Sequence, residues 1–397
     1  MNSSSSTCDC FAADSESPAD NTKSAFTPQS IVRAASYTTP QALLALKLDT
    51  SRQRLYGAGL DGLLYSVAVP PTKPPAATQP AEANNSDQNT RSKAADQQQN
   101  ETQKQQEKQQ EKKTTTTAAD KLWRLHENYV SACDIHGSTL ITASYDRTIA
   151  WWNLDSGERM RSVNAHDGWV RGVKFLPSGE RLVSIGDDQL VKLWNAKSGA
   201  CEATLAGHSR QSPQGFATAI YALAIHPDGR WIATADRVGE CRVWDVNTRE
   251  TIAHWKAPDF YTYDEVKRAR SIGGIRAIAF SADGQQLALG GIGLVTNVDG
   301  FVGPCRIEVW DWQAGRRTFA GQGKHQAIQN DLVFGSDSWI ISGGGGDGGA
   351  NLAFWNPPAE APAHLAKPEG HLHRIALDPP QRRLFTAGSG GFQEWRW

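Results

Sequence analysis

A repeated unit that ends at a tryptophan occupies most of the chain and restricts the folds that the chain can adopt. Residues 139–157 read TLITASYDRTIAWWNLDSG, and residues 181–199 read RLVSIGDDQLVKLWNAKSG. Repeats of about 40 residues, each with four short strands, are typical of the blades of a β-propeller. Alignment on the tryptophan gives the residues that close each unit: Trp152, Trp194, Trp244, Trp310, Trp355 and Trp395.

The strands predicted within the units are short and almost entirely apolar. Segments such as RLVSI, WIATA and RLFTAG are flanked by glycine or by polar residues, and the turn sequences PSGE, HPDGR and SADGQ recur at one position of the unit. A strand that is apolar on both faces must be covered on both faces. A blade that lies between two other blades has that cover, so the pattern predicts an all-β fold.

The number of blades follows from the two units that are incomplete. Residues 43–69 form an early unit without the tryptophan, and its fourth strand is predicted at KLWRLH, after a low-complexity stretch. The last unit stops at FQEWRW without a fourth strand, and an unpaired edge would favour aggregation. We therefore expect residues 29–36 to pair with the last unit. The predicted fold is a seven-bladed β-propeller of four-stranded antiparallel blades, closed by this N-terminal strand.

Two segments lack the residues needed to form a core. Residues 1–25 are rich in serine and aspartate, and residues 70–120 are rich in proline, glutamine, lysine and threonine. Segments of this composition do not bury enough apolar surface to fold. We predict a disordered N-terminal tail over residues 1–25, and one propeller domain over residues 26–397. A disordered insertion over residues 70–120 is predicted to interrupt its first blade.

Two units share a set of polar residues at the same spacing around the tryptophan. In both, serine or threonine precedes the tryptophan by ten residues, and aspartate precedes it by six. These units resemble the WD-repeat (WD40) β-propeller family. The resemblance implies that a buried indole N–H donates to the hydroxyl, and that histidine and aspartate extend this hydrogen-bonded chain. The two sets are His126, Thr142, Asp146 and Trp152, and His166, Ser184, Asp188 and Trp194.

The other units depart from this pattern. The fourth has His208, Thr234 and Trp244, but Val238 stands where the aspartate is expected. The remaining units keep only part of the set, so we expect the propeller fold there without the complete network. The residues that remain are Trp310 and Asp311, then Ser342 and Trp355, then Thr386 and Trp395.

Two chemical interpretations of these residues are possible. Ser184, His166 and Asp188 are the residue types of a catalytic triad, but a network buried against a tryptophan gives a substrate no access. The histidines fall one per blade and therefore cannot converge on one metal ion. We predict no catalytic residue, no cofactor and no metal site.

Three long segments between predicted strands fall at one end of the propeller, over blades four and five. They are residues 209–217, 257–273 and 291–304, and we call this end the loop-rich end. Long loops on a rigid scaffold are frequent binding sites. The second segment could bind a partner, or its aromatic residues could only fix a long loop to the propeller. Its candidate binding residues are Phe260, Tyr261, Tyr263, Arg268 and Arg270.

The mouth of the central channel at the loop-rich end offers a second group of candidates. They occupy matching positions at the start of the first strand in successive blades. A ring of aromatic, arginine and histidine side chains suits a peptide or an acidic group. The candidates are Tyr129, Trp169, Arg171, Tyr221, Arg276 and His373.

These observations favour a non-catalytic scaffold that binds a partner protein or peptide at the loop-rich end. The alternative is a propeller enzyme, a hydrolase or an oxidoreductase, with its site at the channel mouth. A net charge of −1 gives no general attraction to nucleic acid. We expect a soluble, cytoplasmic protein, because no basic start followed by an apolar run resembles a signal peptide, and no apolar stretch could span a membrane.

Overall fold

A closed ring of antiparallel β-sheets forms the fold. The computed structural model describes residues 26–71, 115–265, 270–295, 303–336, 338–346 and 348–397. Within these residues the chain forms 31 strands and three short 3₁₀ turns. No helix in the described ranges is long and apolar enough to cross a membrane. The predicted tail over residues 1–25 and most of the predicted insertion over residues 70–120 lie outside the described residues.

The first strand, β1, belongs to the last blade, and the first blade is built around the insertion. Blade one contains β2, β3, β4 and β6, paired in that order. The bounds are β1 Val32–Thr38, β2 Leu43–Asp49, β3 Arg54–Gly59, β4 Leu63–Ala68, β5 Thr115–Ala118 and β6 Asp120–Arg124.

Blades two, three and four are regular, with four antiparallel strands each. In blade two the strands are β7 Val130–His136, β8 Thr139–Ser144, β9 Thr148–Asn153 and β10 Arg159–Asn164. In blade three they are β11 Val170–Phe175, β12 Arg181–Gly186, β13 Leu190–Asn195 and β14 Cys201–Ala206. In blade four they are β15 Ile220–Ile225, β16 Trp231–Asp236, β17 Glu240–Asp245 and β18 Thr251–Lys256.

A separate hairpin precedes blade five, and blades five to seven complete the ring. The hairpin is β19 Tyr261–Asp264 and β20 Arg270–Gly273. Blade five has β21 Ile275–Phe280, β22 Gln286–Ile292, β23 Pro304–Asp311 and β24 Arg316–Gln326. Blade six has β25 Ile328–Phe334, β26 Ile340–Gly345, β27 Asn351–Trp355 and β28 His364–Ala366. Blade seven has β29 Leu372–Asp378, β30 Arg383–Gly388 and β31 Gly391–Arg396, with β1 as its fourth strand.

The seven-bladed propeller and its closure by the N-terminal strand are confirmed. Strand β1 pairs antiparallel with β31, with Val32 opposite Arg396 and Tyr37 opposite Phe392. The closing strand covers residues 32–38, slightly later than the predicted residues 29–36. Pairing across this junction leaves blade seven without an open edge at β31.

Blade seven also has a fifth strand that the sequence did not predict. Strand β5 pairs parallel with β1, with Ala35 opposite Thr115 and Thr38 opposite Ala118. These residues fall inside the segment predicted to be disordered over residues 70–120. The prediction of disorder is therefore wrong for residues 115–120, because the threonines of β5 supply backbone donors and acceptors to the outer edge of β1.

The hydrophobic core lies between neighbouring blades. One cluster joins Ile141 and Trp151 of blade two to Val173 and Trp194 of blade three. A second joins Val183 and other residues of blade three to residues of blade four. The tryptophans therefore fill the space between blades, where burial of apolar area stabilises the ring. This packing explains why these strands are apolar on both faces.

Candidate functional site

Blades two and three contain a complete chain of hydrogen bonds. In blade two, the Trp152 indole N–H donates to Thr142 Oγ1 at 3.0 Å, and this hydroxyl lies 2.7 Å from His126 Nε2. His126 Nδ1 lies 2.9 Å from Asp146 Oδ2. The indole can only donate and the carboxylate can only accept, so Nδ1 of His126 is the protonated ring nitrogen. The chain satisfies each buried polar group in turn.

The equivalent distances in blade three are nearly the same. Trp194 Nε1 donates to Ser184 Oγ at 2.9 Å, and His166 Nε2 lies 2.7 Å from the same hydroxyl. His166 Nδ1 lies 2.8 Å from Asp188 Oδ1. Ser184 is fully buried, and its hydroxyl is engaged by both the indole and the imidazole. The geometry therefore supports a packing role for these residue types rather than attack on a substrate.

Blade four has the same network, although the sequence pattern lacked its aspartate. Thr234 Oγ1 accepts from Trp244 Nε1 at 2.9 Å and lies 2.8 Å from His208 Nε2. Asp236, rather than a residue at position 238, lies 2.9 Å from His208 Nδ1. The prediction of an incomplete network in this blade is corrected, because the carboxylate comes from the end of β16 and not from the turn.

Blades five to seven keep the indole hydrogen bond but change its partners. In blade five, Trp310 Nε1 donates to Glu308 Oε2 at 2.9 Å, so a carboxylate replaces the hydroxyl. Glu308 also accepts from Arg306 Nε at 2.9 Å and from Arg317 at 2.9 Å. In blade six, the Trp355 indole N–H donates to Ser342 Oγ at 2.8 Å, and this hydroxyl donates to Gln329 Oε1. In blade seven, the Trp395 indole N–H donates to Thr386 Oγ1 at 3.1 Å.

One cluster in the described ranges has the residue types of a metal site. His208, Asp236 and Glu240 bring three potential ligand atoms within 4.8 Å of one another. Both ring nitrogens of His208 are already hydrogen-bonded, and Glu240 accepts from Arg242 at 2.6 Å. The cluster is therefore part of the blade-four network, and its ligand atoms already have partners.

The three long segments at the loop-rich end contact one another. The Tyr261 hydroxyl of the second segment donates to Gln214 Oε1 of the first at 2.6 Å. The Val295 N–H of the third segment donates to Thr262 Oγ1 at 2.9 Å. Val295 also packs in one apolar cluster with Ile272. Segments that are far apart in sequence thus form a single ledge, which we call the insertion ledge and define as the described parts of residues 209–217, 257–273 and 291–304.

The aromatic residues of the insertion ledge mainly fix it in place. Phe260 is fully buried in the core cluster of blades four and five. The prediction that Phe260 contacts a partner is therefore corrected, because its ring has no exposed surface. Tyr263 is half-buried, with its ring centroid 6.0 Å from that of Phe216. Arg268 lies outside the described residues, and Arg270 belongs to β20.

Ion pairs centred on the buried Glu308 fasten the insertion ledge to blade five. Asp259 lies between the guanidinium groups of Arg306 and Arg317, with Arg317 at 3.0 Å. The same two arginines contact Glu308, at 2.7 Å and 2.9 Å. Because Glu308 also accepts the Trp310 indole, one carboxylate links the core of blade five to the ledge. No signal in the repeat pattern pointed to Glu308, since Asp311 was the acidic residue next to the tryptophan.

Exposed aromatic rings line one side of the channel mouth. Trp169 and Tyr129 are 46% and 42% exposed. Between them lies Tyr145, whose ring stacks on Trp169 at 4.3 Å with an angle of 4° and lies 5.7 Å from Tyr129. We call these three rings the aromatic rim. Tyr145 was missed in the sequence, because it belongs to the turn between β8 and β9 and not to a first strand.

Arg171 and Tyr221 continue the aromatic rim into the channel. Arg171 lies 4.8 Å from the Trp169 ring and 5.1 Å from the Tyr221 ring. Its guanidinium forms two hydrogen bonds to Asp187, at 2.6 and 3.0 Å, and one to the Tyr145 hydroxyl at 2.9 Å. This bidentate pair holds Arg171 in one orientation.

Arg276 lies on the far side of Tyr221. Its guanidinium carbon is 4.0 Å from the centre of the Tyr221 ring. Burial lowers the pKa of Arg276, and the neighbouring positive charges of Arg171 and Arg237 act in the same direction. The identity of the group that pairs with the Arg276 guanidinium therefore decides what this site can bind.

His373 lies in β29, the first strand of blade seven. It is half-buried, and it is absent from the residues that line the central cavity. Burial, together with nearby Arg374 and His371, lowers the pKa of His373 to about 4. The imidazole is therefore neutral at physiological pH. Of the six residues predicted at the channel mouth, the structure brings together Trp169, Arg171, Tyr221 and Arg276, with Tyr129 further along the rim.

The comparison with known families identifies the repeat. The WD domain, G-beta repeat (WD40) pattern matches residues 120–153, 157–195 and 199–245. These ranges end at Asn153, Asn195 and Asp245, each directly after the tryptophan of its network. Each matched repeat thus contains the outer strand of one blade and the first three strands of the next, and these three strands belong to blades two, three and four, the blades with complete hydrogen-bond networks.

Similar proteins match over limited parts of their length. Ribosome biogenesis protein YTM1 of Eremothecium gossypii is 30% identical over 134 residues, 32% of this chain and 29% of that protein. Nuclear distribution protein PAC1 of Coccidioides posadasii is 30% identical over 122 residues, covering 28% and 26%. Telomerase protein component 1 of Rattus norvegicus is 24% identical over 270 residues, covering 65% and 8%.

The chain thus spans less than a third of the length of each of these relatives. The three matched repeats, the seven four-stranded blades and the buried indole networks agree with one another. The chain therefore contains WD40 repeats within a seven-bladed β-propeller.

Proposed function

We propose that the chain is a non-catalytic scaffold that binds a partner protein or peptide at the loop-rich end, over blades four and five. The observation that carries this proposal is the insertion ledge. Three segments separated in sequence pack against one another there, through the contact of Tyr261 with Gln214 and that of Val295 with Thr262. Loops that are fixed on a rigid scaffold in this way are suited to recognition.

An exposed apolar side chain supports binding at the ledge. Leu294 is 55% exposed, although the adjoining Val295 is buried. The rings of Trp169 and Tyr129 are exposed at the same end. Aromatic and large apolar side chains frequently dominate protein interfaces.

The enzyme alternative has less support in the geometry. The serine, histidine and aspartate of blade three are engaged with one another and with the Trp194 indole, and Ser184 is fully buried. WD40 propellers are in general scaffolds without catalytic activity. Among the similar proteins, one is named for ribosome biogenesis and another for nuclear distribution, which fits a role in binding other proteins.

Site-specific photo-crosslinking in cells tests the proposal directly. A photoreactive amino acid would replace Leu294 on the insertion ledge. In a matched control it would replace Ile252 on β18, the outer strand of blade four, where the native side chain is 43% exposed. We expect a discrete crosslinked partner from position 294 and none from position 252.

Two results would count against the proposal. Crosslinks to the same protein from both positions would mean that binding is not confined to the loop-rich end. The absence of any crosslink at position 294, with a partner captured at position 252, would move the interface to the outer edge of the blades.

A further inference from the structure

The central channel holds an excess of basic side chains. A cavity of about 500 Å³ is lined by the first strands of all seven blades. Five basic residues and two acidic residues face it. They are Lys47, Arg171, Lys174, Arg276 and Arg374, and Asp134 and Asp331. A cavity of one predominant sign attracts ligands of the opposite charge.

Most of these basic groups have partners within the protein. Lys47 pairs with Asp134 at 2.5 Å, and Arg171 is held by Asp187. Arg374 donates to the backbone oxygens of His373 and Ser131, at 2.7 and 3.1 Å. Lys174 is exposed to the cavity, and the negative charges of Asp331 and Asp134 act on it.

Arg276 differs from the other arginines of the channel. Among the described residues its guanidinium contacts the face of the Tyr221 ring at 4.0 Å, and no hydrogen bond or ion pair engages its N–H groups. Its charged neighbours are Arg171 and Arg237, which repel it. A guanidinium keeps its charge in proteins, and Arg276 is half-buried in the wall of the cavity without a carboxylate partner among the described residues. The group is therefore suited to an anion supplied from outside.

The geometry around Arg276 favours a carboxylate on a peptide over a small free anion. Arg276, Tyr221, Arg171 and Trp169 form a continuous row from the channel to the surface, with ring-to-guanidinium distances of 4.0, 5.1 and 4.8 Å. A carboxylate can accept two parallel hydrogen bonds from a guanidinium. The exposed rings of Trp169 and Tyr129 would cover the apolar parts of a chain, which a free anion lacks.

We propose that the channel mouth binds an acidic side chain of a partner peptide, whose carboxylate pairs with Arg276 while the adjoining residues lie on the aromatic rim. This inference rests on the proposed function and specifies the chemistry of the partner. It places the acidic contact in the channel, beside the insertion ledge, and predicts that peptide binding depends on one negative charge.

Selection from a library of short random peptides tests this inference on the full chain. The library would be selected on the wild-type protein, on Arg276→Gln and on Arg230→Gln. Arg230 is a charge-matched control in the turn between β15 and β16 at the opposite end, where its side chain is 57% exposed and pairs with Asp245. The tightest peptide would then be compared with versions in which each Asp or Glu is changed to Asn or Gln.

We expect the wild type and Arg230→Gln to select peptides that share an acidic residue. Neutralising that residue should weaken binding to both by about tenfold or more, and this preference should be absent in Arg276→Gln. Arg276→Gln should unfold close to the temperature of the wild type, because the charge it removes has no ion-pair partner in the described chain and the substitution loses only the contact with the Tyr221 ring.

Three results would overturn the inference. The wild type could select peptides without an acidic residue, a result that does not depend on the folding of any variant. The acid preference could persist in Arg276→Gln. Inorganic phosphate could raise the unfolding temperature of the wild type but not of Arg276→Gln, with no acidic peptide selected, which would identify a site for free anions. None of these results would contradict a partner crosslinked at position 294.

Discussion

In blades two to seven the tryptophan near the end of the third strand donates its buried indole N–H to a hydroxyl or a carboxylate, and this hydrogen bond accounts for the serine, threonine or glutamate beside it. The sequence resembles the WD-repeat family in blades two and three, this resemblance implied their networks, and the structure has all their hydrogen bonds. The sequence missed Asp236, which lies two residues before the expected position. One carboxylate near the imidazole is sufficient, and whether it comes from the end of the second strand or from the following turn depends on backbone geometry that spacing does not reveal.

The role of Asp236 can be tested by comparing its substitution with a substitution in the turn that follows β16. Asp236 accepts from His208, and its other oxygen accepts the N–H groups of Val238 and Glu240, each at 2.9 Å. Asp236→Ala should reduce the free energy of unfolding by about 1–3 kcal/mol, because it leaves buried donors without a partner. Urea denaturation measures this loss. Val238→Ala is the control. An equal loss of unfolding free energy in that variant would mean that the packing of the turn, and not the Asp236 carboxylate, stabilises the network.

Acid should weaken the blade-two network within a defined range of pH. Burial would raise the pKa of Asp146, but hydrogen bonds from His126 and Thr148 outweigh it and lower the pKa from 3.8 to about 2. A carboxyl with a lowered pKa stabilises the fold above its unfolded pKa and loses this contribution as the pH falls towards its folded pKa. The contribution of Asp146 should therefore be complete above pH 3.8 and decline towards pH 2.

Asp146→Asn provides the comparison for this effect. Its free energy of unfolding should lie furthest below that of the wild type at about pH 6, and the difference should shrink towards about pH 2, where Asp146 itself becomes neutral. Denaturation curves across this range measure the difference. A difference that stays constant with pH would show that the charge of Asp146 does not stabilise the network.

At the scale of strands and loops, hydrophobic pattern was informative and polar segments were not. The apolar runs gave the blades, and the missing fourth strand of the last unit led to the pairing of β1 with β31. Strand β5 escaped prediction because its threonine run, Thr115–Ala118, is exposed and lacks an apolar face. Its backbone pairs with β1, and backbone pairing leaves no signature in composition.

The insertion ledge shows the same limit. Loop positions in the repeat predicted that residues 209–217, 257–273 and 291–304 share one end, and the contacts among them place their described parts together. The sequence could not separate aromatic residues that fix a loop from those that face a partner. Phe260 is of the first kind, and the exposed rings are Trp169 and Tyr129, whose neighbour Tyr145 comes from a different turn.

At the scale of the whole molecule, closure makes the ring one cooperative unit. Phe26 packs at the junction of blades six and seven, with its ring 5.0 Å from that of Trp397 and 5.8 Å from that of Trp339. It belongs to the same core cluster as Phe354 and Trp395. The segment that contains Phe26 and β1 thus holds blade seven against blade six.

Loss of the Phe26 ring should therefore destabilise the whole propeller rather than one blade. Phe26→Ala should reduce the free energy of unfolding by about 3 kcal/mol, because it removes a buried aromatic ring and leaves a cavity. Val32→Ala, at a position of β1 that is 40% exposed, should change it by less than about 0.5 kcal/mol. Calorimetry of the full chain should show one transition for the wild type and for both variants. A separate low-temperature transition in Phe26→Ala would mean that blade seven opens independently, and closure would then stabilise only its own blade.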